Sequence, residues 1–104
     1  MMKTRDVRVV RIYSHEAKGG YREIFRYLHD EARVQGVTVF RGISGFGRSG
    51  KVHSATLLDM SLDLPVVIEF FDSPDKVAGI LEYLNQRVEP GHILTWPAAM
   101  NSGE

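Results

Sequence analysis

The hydrophobic positions of this chain follow two periods, which alternate along its length. Residues 7–14 (VRVVRIYS) are rich in β-branched residues, a composition typical of a β-strand. After Gly19 and Gly20, apolar residues recur every three or four positions and predict a helix. The apolar stripe of this helix consists of Tyr21, Ile24, Phe25, Leu28 and Ala32. We expect Gly36 to cap the C-terminus of the helix.

The same order of elements returns in the rest of the chain. Strands are predicted at residues 37–44 and 64–71, with Pro65 at the start or edge of the latter rather than in its middle. Ser73 and Pro74 are typical of an N-cap followed by proline at the first helical position. The apolar stripe of this second helix is Val77, Ile80, Leu81 and Leu84. Pro90-Gly91 should end it, residues 93–97 form a last strand, and residues 101–104 should fray.

The order β-α-β-β-α-β predicts an α+β fold, a ferredoxin-like plait with an antiparallel sheet. We interpret residues 1–104 as a single domain. Both helices should lie on one side of the sheet, which leaves the other side uncovered. Because the strands at 7–14 and 64–71 carry apolar residues on both faces, the uncovered face is not simply a wetted surface. We therefore expect an oligomer that buries it.

Composition and charge narrow the classes of function. The content of hydrophobic residues (43%) and charged residues (25%) is ordinary for a globular protein, and the chain has no cysteine. With no apolar run of about 18 residues and a polar N-terminus, we expect a cytoplasmic protein. The net charge is zero, but residues 1–56 carry eleven Lys and Arg against five Asp and Glu, and residues 57–104 carry two against eight. This segregation favours an anionic ligand or contacts between copies, and no nucleic-acid partner is predicted.

Glycine and basic residues are concentrated between residues 37 and 53 (VTVFRGISGFGRSGKVH). Glycine lets backbone N–H groups approach a ligand, and neighbouring basic side chains can complete a cradle for an anion or phosphate. The spacing matches neither the P-loop nor the dinucleotide fingerprint, so a glycine-rich hairpin with solvated charges explains it equally well. The candidate ligand-binding residues are Gly45, Gly47, Arg48, Arg41, Lys51 and His53.

The sequence TVFRGISGFG, followed by His53-Ser54 and then DLPVVIE, resembles the DUF190 family of PII-like signalling proteins. Residues 45–48 (Gly-Phe-Gly-Arg) are similar to an element at the same place in PII proteins. The resemblance implies a homotrimer with its sheets facing inward and small-molecule sites in the clefts between subunits. It implies that a small ligand, an adenine nucleotide, binds at the base of the loop after the second strand. No other cofactor is predicted. Residues 47–61 are then the mobile loop.

This chain departs from the PII pattern in three places. Ser49 stands where PII proteins carry a glutamine that helps to hold a metal–nucleotide complex, and no tyrosine is present between Gly47 and Leu64 to be nucleotidylated. The segment before the last strand is glycine-rich and basic in PII proteins, but here residues 89–92 read Glu-Pro-Gly-His with only Arg87 nearby. A monophosphate or diphosphate nucleotide is therefore easier to accommodate than a triphosphate. Whether a metal accompanies it stays open.

Other classes of function fit less well. Carboxylates are available at Glu16, Asp59, Asp63 and Glu69, but they form no nucleophile–base–orienter set, so no enzyme and no catalytic residue are predicted. Glu69 is as suited to pair with Arg11 or Arg41 across the sheet as to act as a base. An RNA-binding plait would need a basic face and an RNP-like aromatic motif.

Histidines do not indicate a metal site. They are dispersed along the chain and form no recognised metal-binding motif; they are His15, His29, His53 and His92. The serious alternative to ligand binding is a structural or interaction module, without a small ligand, whose loop docks on a partner protein. The family resemblance points to a membrane transporter as one such partner, because genes of this family are often found beside fluoride-channel genes.

Overall fold

The computed structural model describes residues 2–47, 50–54 and 63–103, with the backbone alone at Lys18, His53 and Ser54. In this part of the chain, six strands and two helices follow each other, and a short 3-10 turn, Glu16–Lys18, lies between the first strand and the first helix. The elements are β1 (Thr4–His15), α1 (Gly20–Asp30), β2 (Gly36–Arg41), β3 (Ser44–Phe46), β4 (Val52–Ser54), β5 (Pro65–Asp72), α2 (Pro74–Asn85) and β6 (Ile93–Asn101).

Four of these strands form the main sheet, in the order β2-β5-β1-β6, and every neighbouring pair is antiparallel. The first and third strands of the βαββαβ order are therefore central, as in a ferredoxin-like plait. The predicted fold class is confirmed. Pro65 is the first residue of β5, where a missing N–H is tolerated even in a central strand.

Both helices pack on one face of the sheet. The register pairs Val10 with Phe70 and Ile12 with Ile68, which places all four side chains on the same face. They are at most 1% exposed and pack in one core cluster with Leu28 of α1 and with the α2 stripe of Val77, Ile80 and Leu84. Apart from Phe25, which is 38% exposed, the predicted helical stripes are the surfaces that cover the sheet. Burial of the core side chains is the main source of stability.

The boundaries of the first helix and of the second strand differ from the prediction. α1 ends at Asp30, and the backbone turns at Arg33, whose φ is 51°. Gly36 does not cap the helix but begins β2, where a Cβ would lie 2.6 Å from the ring of Phe71. The predicted strand at 37–44 ends at Arg41. The chain then enters a separate hairpin of β3 and β4, which periodicity did not reveal.

The C-terminal elements also shift. Ser73 caps α2 as predicted, with its hydroxyl accepting a hydrogen bond from the Lys76 N–H at 3.4 Å, but the helix ends at Asn85, before Pro90-Gly91. β6 runs to Asn101, beyond the predicted end at residue 97. Asn101 pairs with Thr4, and the expected fraying at that residue is therefore wrong, because β1 is itself longer than predicted.

The face of the main sheet opposite the helices is only partly covered within the chain. We call it the open face. It carries Val9, Arg11, Tyr13, Phe40, Val67, Glu69, Phe71, Leu94 and Trp96. Four of its large apolar side chains are 36–54% exposed, whereas the central core residues on the helix-covered face, Val10, Ile12, Ile68 and Phe70, are at most 1% exposed.

Candidate functional site

The glycine segment leaves β2 and crosses the start of β5. The Gly42 N–H donates to the Pro65 carbonyl at 2.8 Å, and Cβ atoms at Gly42 and Gly45 would lie 3.2 and 3.0 Å from the proline ring. Gly45 also pairs with His53 in the β3–β4 hairpin. Among the four glycines of the segment, only Gly50 has a positive φ (77°). Gly42 and Gly45 are thus explained by close packing on Pro65, not by an unusual backbone conformation.

Some of the predicted ligand-binding residues lie close to this hairpin. Gly47 is open, since a Cβ there would meet nothing within 4 Å among the described residues, and its carbonyl accepts from the Gly50 N–H at 2.9 Å. Lys51 is exposed in the turn of the hairpin. His53 is brought beside Gly45 by its backbone, while Arg48 lies outside the described residues. The structure therefore brings Gly45, Gly47, Lys51 and the His53 backbone together.

Arg41, the last residue of β2, pairs with a carboxylate of the 3-10 turn and not with a residue of the hairpin. Its Nε donates to Glu16 Oε1, and this hydrogen bond and the charge of Glu16 raise the pKa of Arg41 above its ordinary value. The phenol of Tyr21 contributes to the same rise in pKa. The Arg41 side chain is 67% exposed, whereas the Glu16 side chain is 20% exposed. The cation is thus accessible beside the hairpin, with one carboxylate already bound to it.

A carboxylate cluster joins the end of β1 to the start of β5. The two oxygens of Asp63 lie 2.9 and 3.0 Å from His15 Nδ1, and Oδ1 accepts from the Ala17 N–H at 2.7 Å. The Glu16 N–H donates to the Leu64 carbonyl at 2.9 Å. The 3-10 turn that carries Glu16 is therefore fixed to the chain just before β5. The other candidate carboxylate of this region, Asp59, lies outside the described residues.

A cavity of about 460 Å³ opens between α1 and β2. Tyr21, Phe25 and Val39 form its apolar lining, and its charged lining consists of Arg22, Arg26 and Asp30. The cavity lies beside β2, which ends at Arg41, and the phenol of Tyr21 also contributes to the raised pKa of that guanidinium. The base of the glycine segment thus combines open backbone, an accessible cation and an adjacent apolar cavity, which are the components needed for an anion that carries an apolar ring.

A smaller cavity of about 260 Å³ lies between the helices near β1, and its lining includes Tyr83, Arg87 and His92. The rings of Tyr27 and Tyr83 are stacked 3.7 Å apart, and the Arg87 guanidinium lies 3.7 Å from the centre of the Tyr83 ring. Burial raises the pKa of the Tyr27 phenol. Arg87 is thus held against an aromatic stack within its own chain.

The open face contains an ion pair between Arg11 and Glu69. Arg11 Nε donates to Glu69 Oε1 at 2.7 Å, and the hydrogen bond from this carboxylate raises the pKa of Arg11. The guanidinium lies 6.0 Å from the centre of the Phe40 ring and 5.7 Å from that of Trp96. The pairing of Glu69 with Arg11 across the sheet, one of the two predicted partners, is confirmed, while Arg41 pairs with Glu16 instead.

Sequence reasoning named Glu16 and Asp63 as carboxylates but missed their structural role. The available signal was topological: Glu16 follows β1, Asp63 precedes β5, and these two strands are antiparallel neighbours in the plait. Tyr21 was assigned only to the apolar stripe of α1.

Within residues 2–47, 50–54 and 63–103, no group of three His, Asp or Glu side chains is arranged to hold a metal ion. No helix in that part of the chain is both long and apolar enough to cross a membrane.

Comparison with known proteins gives related sequences and related structures. The family model described as "DUF190: Uncharacterized ACR, COG1993" matches residues 7–100. A UPF0166 protein from Aquifex aeolicus (strain VF5) is 29% identical over 85 residues, which make up 78% of this chain and 81% of that protein.

Two solved structures share the fold. The first is CPII from Thiomonas intermedia K12, solved bound to ADP and bicarbonate. It is 21% identical to this chain, with a TM-score of 0.69, and the match covers 97% of this chain and 94% of the CPII chain. A PII-like protein from Thermus thermophilus is 12% identical with a TM-score of 0.63, over 95% and 91% of the two chains. The predicted PII-like plait is thereby confirmed. Because the family match extends over nearly the whole domain, this chain belongs to the DUF190 family.

Proposed function

We propose that this protein is a PII-like regulatory subunit, not an enzyme, and that it binds an adenine nucleotide at the base of the glycine segment. The observation that carries the proposal is the likeness to CPII, which was solved with ADP and bicarbonate and matches 97% of this chain. In the chain itself, Gly47 supplies open backbone, Gly45 lies beside it in the same hairpin, and Arg41 supplies an exposed cation. Arg48, Lys51 and His53 stay predicted ligand contacts.

The nucleotide site is proposed to lie between subunits of a homotrimer. The open face supports assembly, because Phe40, Leu94 and Trp96 are large apolar side chains that remain 36–54% exposed in the single chain. A second copy that covers this face would bury them, as expected for an obligate interface. Residues of the neighbouring subunit would then complete the phosphate contacts that one chain leaves open.

A calorimetric titration of ADP into the protein tests this function. We expect binding, and Arg48→Ala should weaken it at least tenfold, or about 1.4 kcal/mol, because a charge-assisted contact to phosphate is lost. Gly47→Val should abolish binding by blocking the backbone approach. Arg33→Ala is the control for charge, since Arg33 is exposed at the opposite end of β2.

The titration also separates the two candidate functions. If ADP, AMP, ATP and bicarbonate all fail to bind the wild-type protein, nucleotide sensing is wrong and the interaction module is favoured. If ADP binds and Arg48→Ala binds equally well, the ligand does not use this segment. A thermal-shift measurement gives an independent reading, because a ligand that binds only the native state raises the unfolding temperature.

A further inference from the structure

Glu16 occupies a position that any anion bound at Arg41 must approach. The carboxylate is mostly buried and accepts from Arg41 Nε, while most of the guanidinium stays exposed. An anionic ligand can reach the exposed side of Arg41 only beside an existing negative charge. Because repulsion between like charges at a few ångströms adds with every unit of charge, Glu16 should penalise a triphosphate more than a monophosphate.

The position of Glu16 is fixed from both sides. His15, immediately before it, contacts both oxygens of Asp63, and the N–H of Ala17, immediately after it, donates to the same carboxylate at 2.7 Å. The Glu16 N–H is itself bound to the Leu64 carbonyl. The side chain of Asp63 is 14% exposed, whereas that of His15 is 36% exposed. The turn therefore presents Glu16 to Arg41 in a defined orientation.

We infer that Glu16 is a specificity-determining residue that lowers the affinity of the site for highly charged ligands, and that Asp63 is the positioning residue that holds it in place. This inference rests on the proposed function, since it requires the phosphates of the ligand to lie near Arg41. It extends the proposal by assigning the choice among mono-, di- and triphosphate nucleotides to a carboxylate within the chain.

The first test compares AMP, ADP and ATP by calorimetry. Glu16→Gln keeps the shape and an oxygen acceptor for Arg41 but removes the charge, so ATP affinity should rise about fivefold to tenfold and AMP affinity about twofold or less. Glu82→Gln, an exposed position on α2, is the matched control and should leave all three affinities unchanged. In an Arg41→Gln background the effect of Glu16→Gln should shrink, because the two residues act as a pair.

The second test needs no ligand. In the NMR spectrum, the Nε–H proton of Arg41 should exchange slowly with water in the wild-type protein and faster in Glu16→Gln. Asp63→Asn should also speed its exchange, because the 3-10 turn loses its charged acceptor. Asp30→Asn is the control, since Asp30 likewise contacts a histidine Nδ1, of His29 at 2.7 Å, but on the exposed surface of α1.

The possible outcomes separate the inference from the proposed function. If the wild type binds ADP and Glu16→Gln keeps the wild-type ratio of ATP to AMP affinity, nucleotide binding stands and the role of Glu16 is wrong. If neither protein binds any nucleotide, both proposals fail. If the Arg41 Nε–H exchanges at the same rate in Asp63→Asn as in the wild type, Asp63 does not position Glu16, whatever the nucleotide affinities are.

Discussion

The two faces of the main sheet are built from the same four strands but reach different states in the single chain. On the helix-covered face, Ile68 and Phe70 of β5 are fully buried against α1 and α2. On the open face, the neighbouring residue Glu69 is bound to Arg11, and aromatic rings around the pair remain partly exposed. The first face forms the hydrophobic core along the two central strands, whereas the second has the composition of an interface, with aromatic residues and an arginine.

If the open face is an interface as proposed, one short strand serves folding and assembly at once. Successive side chains of a strand point to opposite faces, so β5 contributes alternate residues to the core and to the open face. The open face does not need to be apolar throughout, because an ion pair between Arg11 and Glu69 satisfies both charges within the chain. In the single chain both side chains of this pair are partly exposed, Arg11 by 40% and Glu69 by 28%.

The difference between the two faces is tested by replacing one phenylalanine on each face with alanine. Phe70→Ala should lower the free energy of unfolding by about 3–5 kcal/mol, since it leaves a cavity in the core. Phe40→Ala should cost less, because that ring is 46% exposed in the chain, and its cost should depend on protein concentration if Phe40 lies in the oligomer interface. Urea unfolding at two protein concentrations measures both effects; equal losses would contradict the distinction between the faces.

The open face can be disrupted without disturbing the core. Trp96→Asp should weaken self-association at least about 30-fold, or roughly 2 kcal/mol, because it places a carboxylate where a large ring is buried between copies. Gln86→Asp is the control, since Gln86 is exposed at the C-terminal end of α2, on the helix-covered side of the sheet. Sedimentation velocity would show dissociation of the first variant only. Unchanged association of Trp96→Asp would exclude the open face as the interface.

Asp72 joins the covered face to the start of α2 and should make stability depend on pH. Burial alone would raise the pKa of Asp72, but hydrogen bonds from Ser73, Gln35 and Lys76 outweigh it and lower the pKa. Because the folded pKa lies below the unfolded one of about 3.9, the stabilisation is fully present above pH ~3.9 and is lost as pH falls through the folded pKa.

Asp72→Asn should therefore flatten the acid limb of the stability curve and cost roughly 1–3 kcal/mol at pH 7. Urea unfolding between pH 2 and 7 measures this change. Asp6→Asn, at an exposed position of β1, is the control. A mutant curve parallel to that of the wild type would show that Asp72 does not carry this pH dependence.

The smallest expected effect lies at the cap of α2. Ser73→Ala should cost about 0.5–1 kcal/mol, since the hydroxyl bond to the Lys76 N–H is long at 3.4 Å. Ser73→Asp, which keeps an acceptor at the N-cap, should restore the stability. Thermal unfolding compares the two, and a loss in both variants would mean that the cap is not the source.

The local pattern of the sequence was sufficient to predict the plait. Runs rich in β-branched residues identified the main strands, and apolar stripes at the helical period identified both helices. The resemblance over residues 38–47 and 63–69 added the family. The prediction of Gly36 as a helix cap was wrong, since the glycine is needed under the ring of Phe71, a contact between distant parts of the chain.

The candidate site was only partly predictable, for the same reason. Glycine and basic residues marked the segment from Arg41 to His53, but the partner of Arg41 is set by the antiparallel pairing of β1 with β5, which brings Glu16 and Asp63 together. The predicted roles of Arg48 and of most of the loop at 47–61 concern positions outside the described residues. The mobility of that loop stays a prediction, although residues 52–54 form β4 within it.

The mass of the protein in solution tests the central claim most directly. Light scattering coupled to gel filtration, at micromolar protein concentration, should give about three times the chain mass of 11.7 kDa, because the proposed PII-like trimer would bury the open face between copies. A dimer would contradict the PII-like arrangement. A mass equal to that of one chain would contradict the claim that the open face is an interface between copies.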